Sequence, residues 1–144
     1  MGVTYSDNLI TLMNEAYDMT MKQVVNHVID IADEALEITE DKMVNIIENT
    51  PSSIVEGKDN RVDTGLMRDS VGKKYMKKVS DNYWQGSAGW VDKVKDYFIT
   101  QEYGGKTPSS WGSLGGKTIS PMHMLTQAQV EMNEYLKERI EGVF

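Results

Sequence analysis

Apolar side chains recur every third or fourth position from residue 7 to about residue 49, which predicts one long amphipathic helix. Val24, Val25, Val28, Ile29, Ile31, Ala32, Ala35, Leu36 and Ile38 make a broad stripe that Met43, Ile46 and Ile47 extend. Asp30, Asp33, Glu34, Glu37 and Asp41 fall on the opposite side. Ser6 or Asp7 is placed to cap the start. Thr50-Pro51 ends the run, because a residue before proline is driven away from helical backbone. The stripe drifts across 17–21, which predicts a bend there.

The period then changes. Residues 51–60 are a polar loop, and Val62-Asp63-Thr64-Gly65-Leu66-Met67-Arg68-Asp69-Ser70 reads as a corner between helical and extended chain. Asp63 or Thr64 can accept a hydrogen bond from a backbone N–H two or three residues on, Gly65 relaxes the turn, and 66–70 make a short helical turn. Residues 71–79 alternate loosely and hold Lys73, Lys74, Lys77 and Lys78, as an exposed or edge strand does. Residues 80–82 are a turn. A second strand over 83–91 puts Trp84, Gly86, Ala88 and Trp90 on one face, toward the long helix.

Residues 92–102 fit either a short helix or a third extended piece, broken by Tyr103-Gly104-Gly105. From 104 to 118 the chain is glycine-rich around Pro108-Ser109-Ser110-Trp111, the profile of a long mobile hairpin or loop with one exposed aromatic. Ser120-Pro121 starts a last helix with proline at its first position, and Met124, Leu125, Ala128, Met132, Tyr135, Leu136 and Ile140 give it an apolar stripe up to Gly142. The whole predicts a single α+β domain. A long N-terminal amphipathic helix (7–50) and a C-terminal helix (120–142) pack on a small antiparallel sheet (corner plus sheet, 61–103), with a long glycine-rich loop at 104–119.

Charge changes this picture more than composition does. Net charge is −7 over 144 residues, with no cysteine for disulfides, thiol chemistry or thiolate-bound zinc. Residues 1–56 hold eleven acids against Lys22 and Lys42, a local −9; residues 57–95 hold nine bases against five acids, a local +4. An acidic total argues against a general nucleic-acid binder, whose affinity rests on neutralising phosphate. The dipolar layout suits copies that stack acidic part to basic part, or else two solvated faces that never meet. No run is apolar enough to span a membrane, and the first residues lack the basic and apolar regions of a secretory signal.

Candidate chemistry is thin. Asp63-Thr64-Gly65 is the triplet of aspartic proteases, but that site needs an apolar strand before the triplet and a small residue after it. Here the lead-in is charged and Leu66 and Met67 follow, so a structural corner is the reading. Gly-Gly-Lys-Thr occurs at 104–107 and 115–118, but Thr100 and Trp111 stand where a phosphate loop needs its leading glycine. His27 and His123 are the only histidines and lie far apart in sequence, so no metal set is expected. The ten methionines fall mostly on core stripes. No catalytic, cofactor or metal residues are assigned.

The order of these features resembles the small tail-completion (head–tail joining, neck) proteins of long-tailed bacteriophages over residues 7–142. The resemblance rests on Asp63, Thr64, Gly65, Met67, Arg68 and Ser70; on Glu102, Tyr103 and Gly104; and on Pro121, Leu125 and Ala128. The chain departs from that pattern in Leu66-Met67 and in a longer, more glycine-rich loop at 104–120. The resemblance implies a virion protein, made in the host cytoplasm, that needs no cofactor and performs no chemistry. It forms a ring of six copies at the head-proximal end of the tail. There it meets tail-terminator, tail-tube or head-connector proteins, and DNA passes through the channel without specific binding. Candidate contact residues are Lys73, Lys74, Lys77 and Lys78, the Glu102-Tyr103-Gly104 segment, Trp111 and Pro121. The alternative is a nucleic-acid-binding accessory protein that uses the basic 57–95 segment.

Overall fold

The computed structural model describes residues 7–92 and 94–143, with backbone alone at positions 7 and 8. The fold is α+β. Helix α1, Asp7–Asn49, is 43 residues long, a rod of about 65 Å at 1.5 Å per residue. A corner with a one-turn helix α2 (Leu66–Asp69) leads into the hairpin β1 (Gly72–Ser80) and β2 (Tyr83–Gly89). Helix α3 (Asp96–Tyr103), strand β3 (Gly105–Lys106), a 3-10 segment (Ser109–Leu114), strand β4 (Thr118–Ile119) and helix α4 (Met124–Glu141) complete it. The sheets are two antiparallel pairs, β1 with β2 and β3 with β4.

Burial along α1 begins late. Ile31, Ala35, Leu36, Met43, Ile46 and Ile47 are buried, at the spacing of one helical face. Met43, Ile46 and Ile47 form the main core with Met67, Phe98, Met122, Met124 and Ala128. Four of these eight side chains are methionine, whose unbranched thioether fills the irregular space where helix, corner and loop meet. Helix α4 starts in this core and runs back antiparallel along α1. Glu131 pairs with Lys42 at 3.3 Å, and Glu138 and Arg139 line a hollow with His27, Asp30 and Ile31.

The hairpin lies on the same helix. A register shift between Lys74 and Lys77 breaks the β1–β2 ladder, and there the Met76 N–H donates instead to Asp33 at 2.7 Å. Lys73 reaches Glu40 at 2.8 Å and the Tyr75 hydroxyl donates to Glu37. Asp33, Glu37 and Glu40 thus form one acidic row under one strand. On β2, a Cβ at position 86 would lie 2.7 Å from the Leu36 side chain and 2.8 Å from the Met76 sulfur, so a side chain there would push both out of their present places between strand and helix.

Several expectations are corrected. The helix is unbroken through 17–21, because Ile10, Met13, Tyr17, Met21, Val24, Val28, Ile31 and Ala35 keep one three-four spaced line. Helix α4 begins at Met124, not at Pro121. Its first N–H groups are taken by Glu102, and the chain turns into it through His123 in the left-handed region. The 92–102 stretch is helical from Asp96. Of the hairpin and loop forms expected for 104–119, the segment takes the hairpin: the Thr107 hydroxyl donates to the Leu114 carbonyl and accepts the Lys117 N–H, while Thr107 and Lys117 also bond through their backbones. A cap on α1 from Ser6 lies outside the described residues, as does one from the Asp7 side chain.

Candidate functional site

The motif residues converge on the junction where α1 ends. Gly65, with φ of 86°, turns the corner and stands at the N-terminus of α2. Thr64 Oγ1 accepts the Leu66 N–H at 3.3 Å, the two-residue reach expected of it. Asp63 makes no cap bond to α2, because Gly65 occupies the capping position. Arg68 ties the corner to α1 through Glu48 at 3.6 Å and also meets Asp69 at 3.0 Å. The Ser70 N–H closes α2 on the Leu66 carbonyl. Trp90 donates its indole N–H to the Met67 carbonyl at 3.0 Å and packs its ring 5.1 Å from Phe98.

Glu102 is the polar centre of the junction and is 1% exposed. Its two carboxylate oxygens accept the N–H groups of Met124 and Leu125 at 2.8 and 2.9 Å, and its carbonyl accepts the His123 N–H at 3.1 Å. A carboxylate at a helix N-terminus satisfies orphan donors and opposes the positive end of the helix dipole. Gly104 lies directly against Pro121. Glu102 is therefore an internal cap and not a surface contact, which removes it from the contact candidates. Its neighbour Tyr103 is exposed.

Arg61 was not singled out by sequence, where it is one cation in a polar loop. It is buried and binds four acceptors: the Pro51 carbonyl at 2.9 Å, Gln101 Oε1 at 2.8 Å, and the carbonyl and hydroxyl of Ser120 at 2.7 and 2.8 Å. It latches the end of α1, α3 and the approach to α4. All four acceptors are neutral, and burial lowers its pKa, but a guanidinium so bound stays charged at neutral pH.

Beside this latch opens an apolar groove of about 490 Å³. Ile54 and Val55 wall one side, Leu66, Met67 and Tyr97 another, and Trp111 and Leu114 of the 3-10 segment a third; Lys58, Arg61 and Asp63 supply charge. Trp111 is 47% exposed at its edge. The Tyr97 phenol is pushed up by burial and then by the nearby Asp63 charge.

The lysine strand sits elsewhere. Lys73 and Lys74 pair with Glu40 and Asp92 at 2.8 and 2.9 Å, and Lys78 lies 3.9 Å from Asp81. Much of the basic segment is thus answered by acids of the same chain, with Lys77 pointing to solvent. Trp111 and Pro121 lie toward the junction, whereas Lys73, Lys74, Lys77 and Lys78 line the far hairpin, so the contact candidates fall into two separate places. Among the described residues no helix is long and apolar enough to cross a membrane. No protein-family model, curated protein or solved structure matches the chain.

Proposed function

We propose that the chain is a structural subunit of a bacteriophage neck, one of a ring of copies at the head-proximal end of the tail that helps join it to the DNA-filled head. The observation that supports this most is the junction itself. The Asp-Thr-Gly corner, Glu102-Tyr103-Gly104 and the 121–128 segment are far apart in sequence, yet they meet where α1, α3 and α4 are pinned together. Motifs that meet in this way preserve a shape, which is what a ring subunit needs. The work asked of such a subunit is mechanical, and a contact repeated around an axis gains strength from its repetition.

The test is genetic and visual. Loss of the gene should leave filled heads and finished tails unjoined, and labelled antibody should decorate the head–tail boundary of normal particles. Whole, infectious particles without the protein would overturn the reading. The nucleic-acid alternative has less support, because Lys73, Lys74 and Lys78 meet acids of their own chain and leave less charge for phosphate. DNA binding that falls steeply with salt would reinstate it.

A further inference from the structure

Helix α1 outruns everything packed on it. Between the Lys73–Glu40 and Met76–Asp33 contacts, three strand residues at about 3.3 Å each match seven helix residues at about 1.5 Å each. Carried on at that pitch, the end of β1 at Ser80 reaches the helix near Val24. Helix α4 ends beside His27. In the turns before these points Ile10, Leu12, Met13, Tyr17, Met19 and Met21 are all exposed, Tyr17 by 66%.

The exposed line Ile10, Met13, Tyr17 and Met21 continues, on the same helical face, into the buried Ile31 and Ala35. Asn14, Asp18 and Lys22 flank this line on one side, and Leu12, Glu15 and Met19 lie on the opposite face. Burial of such side chains removes about 100 Å² apiece, so the four of this line offer about 400 Å², enough for one short helical contact.

We propose that this free arm of one copy seats in the Trp111 groove of a second copy. Three observations select that occupant. First, the groove opens beside the C-terminal end of α1, because Arg61 bonds the Ile47 carbonyl through its backbone and Pro51 through its side chain. An unbroken helix of some 37 residues between Met13 and Thr50 holds arm and groove about 55 Å apart, so no chain can fill its own groove. Second, the arm is amphipathic and the groove is apolar, with space for several of its side chains. Third, the arm over residues 7–22 carries Asp7, Glu15 and Asp18 against Lys22, whereas the groove holds Lys58 and Arg61 against Asp63, so the two carry opposite net charge.

An arm at one end and its receptor at the other make a head-to-tail contact. Repeated in one direction such a contact closes into a ring or runs on as a filament, and returned by the partner it makes a two-fold pair with each arm in the other's groove. The inference deepens the neck reading by naming the surface between copies, but it stands on its own geometry.

The chain has no cysteine, which makes the test clean. One preparation carries Met13→Cys, another Leu66→Cys at the groove lip, and the two are mixed and treated with a short bismaleimide. Cross-linked pairs should form in the mixture and not in either preparation alone. Tyr17→Glu in the arm and Trp111→Ala in the groove should each weaken self-association, measured by sedimentation, by about tenfold or more, with helical circular dichroism unchanged. Met13→Cys chains that link to one another would mean arm-to-arm pairing and overturn the proposal. A chain that stays monomeric at every concentration, without cross-links, would overturn it as well. Particles that assemble normally with Tyr17→Glu would remove the arm contact and leave the neck role standing. A cross-linking chain whose loss leaves particles whole would do the reverse.

Discussion

At Glu102 one carboxylate answers two backbone donors, so its removal leaves the Met124 and Leu125 N–H groups without acceptors inside the core. Each stranded buried donor costs about 1–3 kcal/mol. Glu102→Ala should therefore lower unfolding free energy by at least about 2 kcal/mol, and Glu102→Gln, which keeps one acceptor oxygen, by about half as much, read from urea melts. His123, next door, holds φ of 50°, a left-handed conformation that costs a residue with a Cβ about 1 kcal/mol. Since its side chain makes no cap bond, His123→Gly should raise the melting temperature by a few degrees, an amount that about 1 kcal/mol yields in a domain this size. Neither residue announces its role in sequence. Glu102 lies 22 positions from the helix it caps, beyond the reach of any local capping pattern.

At the scale of elements, the pairing of hairpin and helix rests on the acidic row Asp33, Glu37 and Glu40. Asp33→Ala should destabilise the fold by about 1–3 kcal/mol, because it strands the Met76 N–H at the ladder's irregularity. Asp33→Asn, which keeps an acceptor, should cost less, and amide exchange at Met76 separates the two. The row also sets a pH dependence. Tyr75 is raised above its ordinary value chiefly by its bond to Glu37, and Lys73 by its bond to Glu40. Groups whose folded values are raised contribute stability below their unfolded pKa and lose it as pH climbs through the folded one. On the alkaline side the hairpin should therefore loosen from the helix above about pH 10. Trp84 fluorescence against pH should follow this, and the change should vanish in a Tyr75→Phe, Lys73→Met chain.

For the whole molecule, the buried core lies toward one end of α1 and the proposed contact with a second copy at the other. The buried apolar side chains begin at Ile31, so a chain that starts at residue 22 should unfold within about 0.5 kcal/mol of the full one, the range of surface changes. The same truncation should abolish self-association, and calorimetry beside sedimentation checks both halves. A rod with its core at one end is an uncommon economy for a monomer. It makes sense where neighbours cover what the chain leaves bare.

The long helix, the two-stranded hairpin, the short helical corner and the final helix were legible from residue order alone. Each depends on local periodicity and turn chemistry, and a sequence carries those directly. The α+β class followed from them. What position in the chain could not reveal were the partnerships between distant residues. Glu102 caps α4, Arg61 latches three segments with neutral acceptors, and Thr107 closes a segment whose composition fits hairpin and loop alike. Burial and hydrogen-bond satisfaction decide such partnerships, and both belong to the assembled chain. Sequence marked the helical stripe, but only the packed structure showed that its side chains are exposed in the first turns and become buried from Ile31 onward.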